Sequence, residues 1–348
     1  IGIYFVGDWS LVSHFAVDSY DLCDIAWSKD DTSIVVWESE FESKQLVYSP
    51  TGNLMSSNEP YTGALGIKTY KFSPNGLNVA VGYYDNNVRI FNTKTWRMIS
   101  TLNHSILNIT PDLGIVVFRE EELSAKNKYS KYVECPLPFK LQPGLGSTLL
   151  KGIGGAIDQI EFSADSNFMA TKGEGMPNVL YIWQVNGLKL FTIIIQLKPI
   201  KDFQWSPKEN MLLIVTENAK MYTFTLSNVY IVELVSDNSN TFGAGKIIWN
   251  SDGKSFIVSD KKQMIIGHPE VNDSNEEPNE ENIQQPSQPH QQFQPIEDGA
   301  NYEEGYEEAD GNPEAEQNDP NEGDYYAQND GDNILDEEEK GQNDYGNE

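Results

Sequence analysis

Cysteine, histidine, basic residues and long apolar runs are all scarce in this 348-residue chain. Its two cysteines, Cys23 and Cys135, cannot build a disulfide framework, and neither sits in a C-x-x-C or Cys/His cluster with metal-ligand spacing. A structural metal is therefore not expected, and an intracellular, reducing compartment fits. Four histidines leave little material for acid–base chemistry. No apolar run approaches the roughly 20 residues that span a bilayer, the longest being the burst Phe191 to Ile195, so membrane insertion is not expected. Lys and Arg number 24 against 53 Asp and Glu, a net charge of −29, which argues against nucleic acid as a partner. The chain opens at Ile1 within the strand-like run Ile3-Tyr4-Phe5-Val6, so upstream sequence is expected and no leader can be judged.

What is present divides unevenly. From Glu270 to Glu348 there are 26 acidic residues and one basic residue, Lys340, which leaves a net charge of only −4 on residues 1–269. This tail mixes Asn, Gln, Glu, Asp, Gly and Pro with few aliphatic residues, too little apolar area to offset the entropy of ordering a backbone. The organisation expected is an ordered domain over 1–267 and a disordered acidic tail over 268–348. The tail's Asp330-Gly331-Asp332 and Asp336–Glu339 lack EF-hand spacing.

The ordered part is built on a repeat. One frame recurs as Ile25-Ala26-Trp27-Ser28-Lys29-Asp30, Tyr70-Lys71-Phe72-Ser73-Pro74-Asn75, Ile160-Glu161-Phe162-Ser163-Ala164-Asp165, Phe203-Gln204-Trp205-Ser206-Pro207-Lys208 and Ile247-Ile248-Trp249-Asn250-Ser251-Asp252. Its aromatic falls at 27, 72, 162, 205 and 249, steps of 45, 90, 43 and 44. A period of roughly 40–45 residues with four short strands per unit marks a propeller blade. In the clearest unit, Ile67–Phe72 alternates as a strand and Ser73-Pro74-Asn75-Gly76 supplies turn chemistry. Asn78–Gly82 and Val88–Phe91 follow as strands, and Asn92–Trp96 turns the chain into Met98–Leu102. A sheet this small is not stable alone and needs neighbouring blades to cover it. The fold expected is all-β, a WD-type β-propeller of about five to six four-stranded blades in an incomplete set. Residues 102–151, inside the double step, read as either a degenerate blade or a long insertion, with the two-period spacing favouring the blade.

The units match the general WD pattern loosely. Phe91-Asn92 and Trp183-Gln184 stand where the Trp-Asp pair belongs, Asp85 sits at the turn before a third strand, and Asn103-His104 resembles the Gly-His element. A narrower likeness runs through Asp8-Trp9, His14-Phe15, Asp21-Leu22, Leu65-Gly66-Ile67-Lys68, Ala80–Asp85, Val88-Arg89-Ile90 and Thr95–Ile99. It continues through Gly152-Ile153-Gly154, Pro177-Asn178, Ile182-Trp183 and Phe203-Gln204-Trp205. Over about residues 1–265 the chain resembles the C-terminal part of the centrosomal WD-repeat family encoded antisense to the tumour-protein p-seventy-three gene. That resemblance implies a cytoplasmic, cytoskeletal location at the centrosome, spindle pole or basal body. It also implies a role in anchoring microtubule minus ends and in spindle organisation and cilium assembly. The partners it implies are a coiled-coil anchoring protein and a minus-end-directed kinesin.

No residue set points to catalysis or to a cofactor. His14 and His104 are expected at strand ends or inter-blade turns in structural hydrogen bonds, while His268 and His290 fall in or beside the tail. Gly152-Ile153-Gly154-Gly155 lacks the Lys-Ser/Thr and the following helix of a phosphate loop and reads as a flexible lead-in to a blade. Trp27, Trp183, Trp205 and Trp249 occupy repeating strand positions, and with Trp37 read as core. Trp9 and Trp96, in corresponding third-to-fourth strand turns, read as exposed protein contacts. Lys126, Lys128 and Lys131, interleaved with Tyr129 and Tyr132, form the basic cluster, a solvated loop or a protein contact. The reading is a non-enzymatic scaffold, and its alternative is a WD-repeat adaptor in RNA metabolism or translation.

Overall fold

The computed structural model describes residues 1–63, 65–105, 108–124, 129–142, 155–234 and 242–269, which fall within one compact unit, Ile1–Asn275. The tail from residue 270 onward lies outside the described residues. The described chain is all strand apart from a single 3-10 turn. A hairpin, β1 (Gly2–Tyr4) and β2 (Leu11–His14), comes first. Blade I follows as β3 (Leu22–Trp27), β4 (Ile34–Glu38), β5 (Gln45–Tyr48) and β6 (Leu54–Asn58). Blade II is β7 (Ile67–Phe72), β8 (Asn78–Tyr83), β9 (Asn87–Asn92) and β10 (Met98–Asn103). Each is a four-stranded antiparallel meander in chain order.

The next segment breaks the pattern. It holds β11 (Asn108–Ile109), a 3-10 turn at Pro111–Leu113, β12 (Val116–Ser124), β13 (Tyr129–Glu134) and β14 (Phe139–Lys140). Blade III then forms from β15 (Ile157–Phe162), β16 (Phe168–Gly173), β17 (Val179–Gln184) and β18 (Lys189–Ile195). Blade IV is β19 (Asp202–Trp205), β20 (Met211–Val215), β21 (Lys220–Thr225) and β22 (Val229–Glu233). A three-stranded sheet, β23 (Lys246–Trp249), β24 (Phe256–Ser259) and β25 (Met264–Gly267), ends the described part. The described residues thus hold four complete blades and two partial ones.

The repeating frame is visible as geometry. The frame serine closes each first hairpin: Ser28, Ser73 and Ser163 Oγ donate to Asp30, Asn75 and Asp165 at 2.7, 2.7 and 2.5 Å. The same hydroxyls accept the amides of Ser33, Asn78 and Phe168. Four residues beyond the frame aromatic the backbone is left-handed at Asp31, Gly76, Ser166 and Gly253. Each of these amides bonds the carbonyl three residues back, the signature of a type I turn with a bulge. The middle strands are buried on both faces, and β20 (Met211–Val215) accordingly reads as a continuous apolar run rather than an alternating one.

Blades are tied across the period as well. Trp205 Nε1 donates to the Glu161 carbonyl (3.2 Å) and Trp249 Nε1 to the Gln204 carbonyl (3.3 Å), each reaching the preceding blade's frame. Asp202 joins three sheets, accepting from Gln159 Nε2 at 2.8 Å and from the Ile247 amide at 2.9 Å. Trp27, read from the frame as core, is 43 % exposed, along with Leu22 and Ile25 on β3. Among the described residues no blade covers that face.

The described residues of 102–151 form no separate four-stranded sheet. β12 pairs in parallel with β18, from Val116↔Thr192 to Arg119↔Ile195, and β13 pairs with β12, extending blade III to six strands in the order β13-β12-β18-β17-β16-β15. Meanwhile β15 lies directly against β7 and β8, which leaves no room for a blade between II and III. Among the described residues the favoured degenerate blade is not seen, and β12 and β13 instead extend blade III. Glu120, 3 % exposed, docks these strands, accepting from Ser130 Oγ (2.7 Å), the Tyr222 hydroxyl of blade IV (3.0 Å) and the Leu197 amide (3.1 Å). Phe118, Val116 and Tyr132 join the core between blades III and IV.

Gly66 marks a close backbone approach. Its amide donates to the Glu40 carbonyl of blade I at 2.5 Å, and a Cβ there would fall 1.7 Å from the Glu42 carbonyl oxygen. At Gly245 the nearest atom to a Cβ is at an ordinary 3.7 Å. Gly66→Ala is expected to destabilise by about 1–3 kcal/mol or more in urea unfolding, while Gly245→Ala stays within about 1 kcal/mol of the parent. Equal midpoints for the two variants would refute this account of the blade I–II contact.

Candidate protein-contact surface

Trp9 sits at the tip of the β1–β2 hairpin in a left-handed conformation, its amide bonded to the Phe5 carbonyl at 2.8 Å. Ser10 donates to the Asp8 carboxylate, which holds that group below the usual carboxylate range. The tip is apolar and open: Trp9 is 72 % exposed, Val6 76 %, Val12 64 % and Phe5 60 %. Several large apolar side chains are thus exposed together within one hairpin.

Trp96 has the same local geometry, left-handed with its amide on the Asn92 carbonyl at 2.7 Å, yet it is 2 % exposed. The expectation of an exposed contact is corrected for this residue. Its ring meets Phe72 edge-on and belongs to the core shared with Val79, Tyr83 and Phe91, and Asn58 of blade I donates to its carbonyl. Blade II has its first two strands and a neighbour to cover the turn, whereas β1 and β2 pair only with each other.

Lys126 and Lys128 lie outside the described residues. Lys131 is exposed on β13, opposite Glu121, which pairs with Arg119. Trp9 and Lys131 stand on different sheets, and nothing in the pairing brings them together.

His104 is built into the blade II–III interface. It is 1 % exposed; Nδ1–H donates to the Leu102 carbonyl (3.2 Å), which leaves Nε2 to accept from the Thr171 hydroxyl (2.6 Å). Thr171 Oγ1 in turn accepts from Trp183 Nε1 (2.8 Å), and the Tyr181 hydroxyl donates to the His104 carbonyl (3.2 Å). Every nitrogen is occupied by structure. Asn103-His104 gave a signal for the histidine, but Thr171 lies 67 residues away and carried none. His14 is exposed at the end of β2, and His268 Nδ1 lies 3.1 Å from the Lys254 carbonyl. His290 and residues 152–154 lie outside the described residues. At Gly155 a Cβ would meet the Gly175 amide at 2.2 Å, so this glycine serves a close backbone approach. Among the described residues no three His, Cys, Asp or Glu side chains converge as a metal site, and no helix is long and apolar enough to cross a membrane.

The repeated frame, the hairpin turns and the four-stranded antiparallel sheets are those of a WD-type β-propeller. Among proteins of that fold the chain is similar to WRAP73. It is 29 % identical over 291 residues to WD repeat-containing protein WRAP73 of Mus musculus, covering 76 % of this chain and 61 % of that protein. It is 26 % identical over 211 residues to an uncharacterised WD repeat-containing protein of Schizosaccharomyces pombe, covering 60 % of this chain and 42 % of that one. The chain therefore spans less than two thirds of the length of either relative. No protein-family profile matches it. A solved structure, Kuenenia stuttgartiensis hydrazine synthase, superposes with a TM-score of 0.42 at 11 % identity over 73 % of this chain and 58 % of that one, too low to carry an argument. The role that accompanies the WD-repeat architecture is protein interaction.

Burial holds the His104 imidazole down at about 3, against an ordinary 6.5. As pH falls below 6.5 the unfolded chain takes up a proton that the folded chain refuses, so stability drops from there toward pH 3, by at most about 1.4 kcal/mol per unit. His104→Gln is expected to lose that part of the slope. Urea midpoints for both proteins at pH 7.5 and 5 check it, and parallel slopes would refute it.

Proposed function

We propose that this chain is a non-enzymatic interaction scaffold at the centrosome, spindle pole or basal body, where it helps anchor microtubule minus ends. Its partners in this reading are a coiled-coil anchoring protein and a minus-end-directed kinesin. The observation that carries the scaffold reading is the open apolar hairpin around Trp9. The cytoskeletal assignment is supported by the collinear motifs from Asp8 to Trp205 and by the likeness to WRAP73. An RNA-directed adaptor is disfavoured by the net charge of −29.

Tagged full-length chain expressed in dividing, ciliated cells is expected to concentrate at centrosomes and to co-purify with a coiled-coil protein. Trp9→Ala should weaken that capture by about 10-fold or more, as removal of an exposed aromatic anchor does. Diffuse signal without coiled-coil capture, or capture indifferent to Trp9, would sink the proposal.

A further inference from the structure

A second surface feature lies in blade I, at the end where the β4–β5 turn meets the lead-in to β3 and the end of β6. A cleft of about 400 Å³ opens there, within the roughly 300–1,000 Å³ of sites that hold small groups. Four carboxylates line it. Asp21, Glu42 and Glu59 are exposed at the rim, and Glu38 forms part of the wall at 4 % exposure. Glu38 Oε1 is buried and has no hydrogen-bond partner, and the hydroxyl of Ser39, also in the lining, is buried and unpartnered too. The cation in the lining, Lys44, is engaged elsewhere, donating to the Asp18 carbonyl at 2.9 Å and pairing with its carboxylate at 3.6 Å.

A buried carboxylate oxygen without a partner is costly, and the cost is relieved by a cation supplied from outside. The carboxylates do not converge on a point as metal ligands do, so the complementary group is extended and organic. Tyr20 and Phe41, 102 % and 69 % exposed, stand in the lining and offer ring faces of the kind that attract guanidinium and ammonium groups. The chain's own tail, with 26 acidic residues to one basic, has the wrong sign to fill the cleft.

The cleft is also held in shape. Gly66 presses on the β4–β5 turn, its amide on the Glu40 carbonyl, while the Tyr84 hydroxyl donates to the Glu40 carboxylate and the Ser39 amide to the Asp21 carbonyl at 2.9 Å. Fixing a site before binding removes part of the ordering cost.

We propose that this cleft receives an arginine or lysine side chain from a basic segment of a protein partner, with Glu38 as the buried counter-charge. The proposal rests on the protein-interaction reading and gives one of its partners a chemistry.

The test uses the full chain and three probe peptides, acetyl-Gly-Ser-X-Ser-Gly-amide with X as arginine, lysine or the neutral isostere citrulline, followed by saturation-transfer NMR. The arginine or the lysine probe is expected to bind at least 10-fold more tightly than the citrulline probe, and the two cationic arms tell which head group is preferred. Glu38→Gln should weaken the cationic probe at least 10-fold with an unchanged circular dichroism spectrum. Because a buried variant can perturb folding, Glu42→Gln/Glu59→Gln at the exposed rim is the companion and should weaken binding at least 3-fold. Equal binding of the citrulline probe, no binding of any probe, or affinities unmoved in both variants would overturn the cleft. Capture of a coiled-coil protein by Glu38→Gln, at parent level and without probe binding, would overturn the cleft while leaving the scaffold reading standing. Probe binding without any partner capture would do the reverse.

Discussion

Every blade here depends on being covered. A four-stranded sheet with apolar residues on both faces of its middle strands has no stable existence by itself, and the frame aromatic is where one blade meets the next. Trp205 and Trp249 fill that position with an indole whose N–H reaches the preceding blade's carbonyl, so the same side chain supplies apolar area and satisfies a polar atom. Asp202 repeats the principle with a carboxylate, serving amide donors from the sheets on either side. Burial follows this coverage: β16 is buried throughout, whereas β3, whose far face no described blade covers, is mostly open.

The frame and its turns were legible in the sequence because their causes are local. A serine that closes a hairpin, a residue able to adopt positive φ four positions beyond the aromatic, and an apolar run long enough for one buried strand all leave marks in consecutive residues. The inserted segment left none. A 90-residue step equals two periods, and spacing alone cannot separate a blade from an insertion of one blade's length; only the parallel pairing of β12 with β18 makes the distinction. Trp9 and Trp96 show the same limit on a smaller scale. Their turns are alike in backbone, and what separates 72 % exposure from 2 % is whether two further strands and a neighbouring blade stand beside the turn.

Charge was harder to read than shape. Glu38 ends an apolar strand, Ile34–Glu38, and Glu120 sits in the run Glu120-Glu121-Glu122, so neither announces itself as buried. Their fates differ through their neighbours. Glu120 is met by a serine, a tyrosine and a backbone amide, while one oxygen of Glu38 is met by nothing. His104 is a third case, kept neutral by burial inside a relay that uses both of its nitrogens.

The parallel union of β12 with β18 also orders events in time. Val116 pairs with Thr192, so the inserted hairpin is synthesised 76 residues before the strand it will join. At roughly 5–20 residues per second, a ribosome needs about 4–15 s to cross that interval. Throughout it, Val116, Phe118 and Tyr132 have no edge to rest against, and the nascent chain carries an apolar hairpin in waiting. The outer edge of blade III is sealed by a piece made earlier than the blade itself, so folding cannot proceed strictly from the first blade to the last.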